Sequence, residues 1–337
     1  MKTDLKIYRL YFKTPLHLGD EKDDYSISLQ TFRSDAMYAA LMATLAKLGY
    51  KIPENGDLGF SISSLFPFYQ GHEDESKPVL FFPKNLTLKP LNEKFLENVK
   101  KIKKVRWLDL DNFQKQINGE NPLGTALDLT HVKGNFLTAK NIDENFISSQ
   151  ISPRVTVSRT GMEDARPFYM DRVFFRKKSG LFFIAKGDNI ALLNKALDVL
   201  KDEGIGTDRN VGNGFFTFED DVIQLDLPEK GLAMSLSMYC PENKDQLTEM
   251  LQDNEEDTTM VSYDFVKRGG WITTSGYNTF RKNSIYMFTE GSIFKKKIDK
   301  ITISGKIADL TPIIEHQQLD HKVFRNGRAI FIPVNTN

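Results

Sequence analysis

The sequence predicts an α+β fold in two domains, each an antiparallel sheet with helices on one face. Three observations predict it. Segments 34–48 and 190–203 carry apolar residues at helical spacing, and each lies between strand-like runs rich in β-branched and aromatic residues. A second, shorter succession of strand, helix and strands begins near Leu232. At 337 residues the chain is also long for a single core, so two domains fit its length.

Residues 5–14, LKIYRLYFKT, alternate and read as the first strand. RSDAMYAALMATLAKLG follows a loop. Asp35 or Ser34 is its N-cap, Met37, Leu41, Leu45 and Leu48 share a face, and Gly49 ends it. ISSLFPFY and PVLFFP are further strands. Residues 90–150 break the rhythm with a charged, helix-permissive segment and a polar stretch, read as an insertion in the first domain. The β pattern resumes at SPRVTVSRT and runs through RPFYMDRVFFRK, a hairpin over about 154–176, into SGLFFIAKGD. In NIALLNKALDVLKDEG, Ile190, Leu193, Leu197 and Leu200 share one face, and GFFTFED is the strand beyond.

The resulting βαββαβ order is the ferredoxin-like (RRM-like) plan, assigned to residues 1–225. Residues 226–337 read as a degenerate second copy. There LAMSLSMYC, TTMVSYDFVKR, NSIYMFTEG and GRAIFIPV are strands, NKDQLTEMLQD is a helix, and the acidic DNEED is a solvated loop. The expected fold is therefore two tandem ferredoxin-like domains with antiparallel sheets, a glycine-rich loop and one insertion.

Hydrophobic content of 40%, with 25 phenylalanines and 11 tyrosines, argues for a globular chain. The single cysteine, Cys240, excludes an intramolecular disulfide and a cysteine-rich zinc site and points to a reducing compartment. Charged residues interrupt the N-terminal apolar stretch, so no signal peptide is expected. No apolar run approaches the roughly 20 residues of a membrane span, and a cytoplasmic protein is expected. Net charge is zero, from 45 basic and 45 acidic residues, which argues mildly against a free-standing nucleic-acid binder. The distribution is uneven. Residues 151–186 hold eight Lys/Arg against three acids, and 242–257 hold seven acids against one lysine. Opposed regional charge suits nucleic acid on one face and protein on another, or simply solvated surface.

KDEGIGTDRNVGNGFF, residues 201–216, places Gly204, Gly206, Gly212 and Gly214 within eleven residues. A dinucleotide fingerprint needs a third glycine where Arg209 stands, and must follow a strand rather than a helix. A P-loop needs Lys and Ser/Thr where Phe215 and Phe216 stand. Both readings fail. Two remain: a helix cap with a tight connection, or a backbone left bare for phosphates and bases, with Arg209 supplying charge and Asn210 and Asn213 hydrogen bonds.

GIGTDRNVGNGFF resembles the glycine-rich loop of the RAMP proteins of CRISPR systems, which follows the second helix of a ferredoxin-like unit. TPLHLGD, FRSDAMYAAL and PRVTVSRTG, with its aromatic hairpin, extend the resemblance over nearly the whole chain, weakly across 90–150. Order and length look most like the fourth subunit of the Csm complex, the type III-A effector; the equivalent Cmr subunit of type III-B is similar. The resemblance implies a non-catalytic subunit that holds the 5′ handle of the crRNA. Its implied neighbours are the large polymerase-like subunit and the backbone RAMP subunit, with target RNA met only indirectly. No cofactor or metal is implied.

The rival is a metal-independent crRNA-processing endoribonuclease using His17; a general RNA-binding module is a third possibility. His17 lies in LHLG and is an RNA contact, a loop support or a catalytic group. His72 and His131 lie in polar loops, and His316 and His321 lack the spacing of a helical metal pair. DLD, residues 109–111, reads as an exposed acidic turn. Arg33 and Ser34 precede a helix whose amides can receive a phosphate. Alternation in RVTVSR sets Arg154, Thr156 and Ser158 opposite Val155 and Val157, with Arg159 at the end. Phe168 and Tyr169 stack on bases or pack a core, and Tyr277, Phe280 and Arg281 form a comparable set in the second domain. The expected RNA-binding residues thus include Gly206, Gly212 and Gly214 with those named above.

Overall fold

The computed structural model of the chain describes every residue except 20–24, 72–76, 88–98, 158–163, 177, 252–260, 275, 315–318 and 336–337. The first unit opens with β1 (Lys2–Phe12), α1 (Ser34–Lys47), β2 (Phe60–Ile62), β3 (Phe66–Tyr69) and β4 (Val79–Pro83). Next come α2 (Val99–Lys103), β5 (Trp107–Asp109), α3 (Leu110–Ile117), β6 (Val132–Lys133) and β7 (Phe136–Leu137). The unit closes with β8 (Ile147–Thr156), β9 (Arg166–Phe175), β10 (Ser179–Gly187), α4 (Ile190–Glu203) and β11 (Phe216–Asp226).

Its sheet runs β11-β1-β10-β3-β4-β5-β7-β6, with β2 also on β10. Around β1 every pairing is antiparallel. Counting β1, β3, β10 and β11 as first to fourth, the spatial order is fourth, first, third, second. The helical spacing explains what covers one face: Leu41 and Leu45 of α1 and Leu193, Leu197 and Leu200 of α4 bury against Tyr8, Leu10 and Phe183. The insertion is no appendage. Its β5, β7 and β6 prolong the sheet, and Phe113 of α3 stacks on Phe82 with ring centres 4.4 Å apart. Asp109, expected in an exposed turn, is 1% exposed and caps α3 by accepting from the Asn112 amide.

The second unit contains β12 (Gly231–Ser235), α5 (Lys244–Leu251), β13 (Phe265–Arg268), β14 (Ile285–Phe288), β15 (Ile293–Ile298) and β16 (Thr302–Ser304). β17 (Ile307–Asp309), β18 (Phe324–Asn326) and β19 (Ala329–Val334) complete it. Its sheet order is β15-β12-β19-β16. In chain order that is second, first, fourth, third, which is not the order of the first unit. β13–β14 and β17–β18 pair separately. The two units share a core: Met234, Ile330 and Ile332 join Ile7, Phe66, Phe82 and Phe182 in one buried cluster.

Among the described strands β8 and β9 pair with each other alone, over ten residue pairs from Ile147–Phe175 to Thr156–Arg166. They form an arm rooted on the body by a bridge between Leu16 and Val173.

Candidate nucleic-acid interface

The glycine-rich loop is stitched to the segment that follows β1. The Gly214 amide donates to the Pro15 carbonyl (2.8 Å) and the Thr207 amide to the His17 carbonyl (2.9 Å). The Ile205 amide closes the loop on the Gly214 carbonyl (3.0 Å). Two glycines answer to this internal packing. A Cβ at Gly206 would stand 2.5 Å from the His17 carbonyl oxygen, and one at Gly214 would stand 2.0 Å from that of Ile205. Gly212 is different. Its φ is +90°, yet a Cβ there meets nothing within 4 Å. The crest, Arg209–Val211, is a single 3-10 turn, with Asn210 and Val211 exposed and Arg209 half-buried. Asn213 turns inward, and its buried side-chain nitrogen has no hydrogen-bond partner among the described residues.

His17 lies beneath this crest. Its ring is 1% exposed, Nδ1 is 2.7 Å from the Asp171 carbonyl of β9, and Tyr25 stacks on it at 5.8 Å. The ring therefore ties loop to arm, in keeping with the loop-support reading, and leaves almost no surface for the RNA contact. On the arm, Ile151, Val155, Val157 and Tyr169 are more than half exposed. Arg154 is half-buried on the opposite face and Thr156 is exposed. Phe168 is half-buried and packs on Tyr25 at 5.5 Å, whereas Tyr169 is the more exposed of the two aromatics. Ser158 and Arg159, like His72 and His316, lie outside the described residues.

The start of α1 is closed, contrary to the expected phosphate seat. The Ser34 amide donates to the Ser64 hydroxyl (3.1 Å), and the Ser34 hydroxyl accepts from the Met238 amide (2.9 Å). Asp35, read as a cap, is instead fully buried in the first turn. It receives Arg268 Nε at 2.8 Å and an Arg325 NH group at 3.0 Å. Burial alone would raise this carboxyl; Arg325, Arg268 and the half-buried Arg33 overcome it and hold the group below its ordinary value. The helix start is thus a clasp between the two units.

A groove of about 1620 Å³ separates α1 from the second unit. Met42 and Lys47 line one wall, Trp271, Lys282 and Phe324 the other, and Arg209 reaches it from the crest. Arg281 stacks its guanidinium 4.8 Å from the centre of the Trp271 ring, and Tyr277 meets His321 edge-on at 6.5 Å. Phe280 is half-buried, and its carbonyl accepts from the Ile272 amide. Of the expected residues Arg209 lines this groove, whereas Arg281 and Tyr277 adjoin it through Trp271 and His321 and Phe280 does not line it. Trp271 and Lys282 escaped sequence reasoning, although Trp271 follows Gly269 and Gly270 and stands ten residues before Arg281.

A family profile described as the CRISPR Csm4 C-terminal domain matches residues 229–334. A curated relative from Streptococcus thermophilus, "CRISPR system Cms protein Csm4", is 25% identical over 338 residues, spanning 96% of this chain and 98% of the relative. The chain is similar to Csm4 proteins along nearly its whole length. Solved structures share the fold of this chain. One, of a Csm3-Csm4 subcomplex in the type III-A CRISPR-Cas interference complex, superposes with a TM-score of 0.56 at 17% identity, covering 99% of this chain and all of the other. Another, of a Csm1-Csm4 cassette in complex with cA4, gives 0.56 at 17% identity and covers 99% of each chain.

Proposed function

We propose that the chain is a non-catalytic RNA-binding subunit of a type III-A CRISPR interference complex, acting in the cytoplasm in antiviral defence. It grips the 5′ handle of the crRNA with the crest of the glycine-rich loop and the β8–β9 arm, as part of a RAMP protein of two tandem ferredoxin-like (RRM-like) domains. Its protein neighbours in this reading are the large polymerase-like subunit and the backbone RAMP subunit, and target RNA is met through the complex. The observation that carries the reading is the arm: a hairpin with no strand neighbours among the described residues, exposing Tyr169 and rooted through His17 to a glycine crest that offers Arg209 and Asn210. Single-stranded RNA is held by charge along its backbone and by stacking of splayed bases, and crest and arm supply one of each.

The test is titration of the full chain with a repeat-derived handle RNA and an unrelated RNA of equal length, in EDTA. Preferential, uncleaved binding that loses about one unit of salt slope in Arg209→Ala is the expected result. Equal affinity for both RNAs would reduce the chain to a general RNA binder. Cleavage at a single phosphodiester would make it a nuclease.

A further inference from the structure

The ribbon β13–β14 pairs Phe265 with Phe288 and Lys267 with Tyr286, so these four side chains share one face, and Val266, Arg268, Ile285 and Met287 share the other. The second face is anchored. Met287 is 1% exposed beside Met238 and Cys240, and Arg268 reaches Asp35. The first face is open. Phe265 is 54% exposed and Tyr286 61%, and Tyr263, just before the ribbon, is 44% exposed. Their rings form a row through Phe288: Tyr263 meets Phe288 edge-on at 5.3 Å, Phe288 meets Phe265 at 6.5 Å, and Phe265 meets Tyr286 at 5.8 Å. Among the described residues Tyr286 touches no ring but Phe265. Lys267 is exposed and has no ion-pair partner among the described residues. Asp264, at the start of the ribbon, turns its carboxylate back on the Phe265 amide at 2.8 Å.

We propose that this face binds single-stranded nucleic acid, with two successive bases stacking on Tyr286 and Phe265 and Lys267 holding a phosphate between them. Exposed rings beside a cation meet both needs of a single strand, surfaces for its bases and charge for its backbone. The extent of the face selects this occupant. Four residues of strand at about 3.3 Å each, on two strands about 4.8 Å apart, present roughly 130 Å². A stable protein interface needs about 800 Å² on each side, so a partner protein or a second copy finds too little here. A dinucleotide covers it. The anchored rear face holds the rings in place before binding, which lowers the cost of ordering them. Every base has a π-face, so the site is tolerant of sequence. It uses no residue of the crest or the arm, and it does not depend on the handle-RNA reading.

The test follows the ring resonances of Tyr286, Phe265 and Tyr169 in the full chain, assigned with Tyr286→Leu, Phe265→Leu and Tyr169→Leu. The probes are single-stranded hexa-adenylate, the same backbone without its bases, and a duplex of equal length. Hexa-adenylate should shift the Tyr286 and Phe265 rings upfield, whereas the baseless backbone and the duplex should leave both unmoved. Read at Phe265, its affinity should fall about tenfold in Tyr286→Leu and be kept in Tyr286→Phe. Lys267→Ala should lower the salt slope by about one unit. Rings unmoved by hexa-adenylate overturn the proposal. So does an equal response to the baseless backbone, or an unaltered affinity in Tyr286→Leu that melts as the wild type does. Self-association in sedimentation that is lost in Phe265→Leu would assign the face to a second copy and overturn it too. If handle RNA moves Tyr169 while Tyr286 stays silent to both RNAs, the arm reading survives and this site falls. If hexa-adenylate moves Tyr286 while Tyr169 ignores handle RNA, the reverse holds.

Discussion

Gly206 and Gly214 face carbonyl oxygens of their own chain, whereas Gly212 faces open space. Gly206→Ala and Gly214→Ala should therefore each destabilise by about 2 kcal/mol or more, through backbone collision and a left-handed φ together. Gly212→Ala should cost only the strain of its φ, about 1 kcal/mol. Melting of the three variants checks this, and RNA affinity per folded molecule should change at Gly212 alone. The glycine density was legible in the sequence. Which glycine serves which purpose was not, because the carbonyl opposing Gly206 belongs to His17, far away along the chain. Lys282 offers a second test at this scale. Its folded pKa of about 7 lies below the ordinary lysine value of 10.5, so between those values the unfolded chain holds a proton that the folded chain has lost. Stability should then rise with pH from about 7 to 9.5, and Lys282→Met should flatten the rise in melting experiments.

At the scale of elements, the clasp and the arm make opposite demands. Asp35→Asn leaves Arg268 and Arg325 buried without their counter-charge, and should cost about 3–5 kcal/mol in urea unfolding. Arg154 and Tyr169 lie on a hairpin that supports no other strand among the described residues, so Arg154→Ala and Tyr169→Ala should shift stability by no more than about 0.5 kcal/mol. Both should weaken handle-RNA binding in the same titration. Helical spacing and strand alternation exposed α1, α4 and the arm to sequence reasoning, because those patterns are local. The clasp was hidden, since Asp35 and its arginines are 233 and 290 residues apart. β15 was hidden for a different reason: the three lysines in IFKKKI interrupt its alternation.

For the whole molecule, the shared core decides how the chain comes apart. Ile330 and Ile332 of β19 pack with Phe66 and Phe182 of the first unit, so exposing one sheet exposes the other. Unfolding should be one transition, with calorimetric and van't Hoff enthalpies equal, and two resolved transitions would contradict a common core. The βαββαβ succession of the first unit was legible in its sequence, and each helix there crosses over one strand, α1 from β1 past β10 to β3 and α4 from β10 past β1 to β11. The order of the second was not legible, because its short strands reach one another through long connections. The pairing of β1 with β11 also carries a consequence in time. β1 pairs along its full length, Lys2 with Asp226 through Phe12 with Phe216, with a strand made about 200 residues later. At about 5–20 residues per second, that edge of the newborn chain waits roughly 10–40 s on the ribosome before its partner emerges. Slowing translation ahead of β11 should therefore lengthen the period in which chaperones can be cross-linked to the nascent N-terminus.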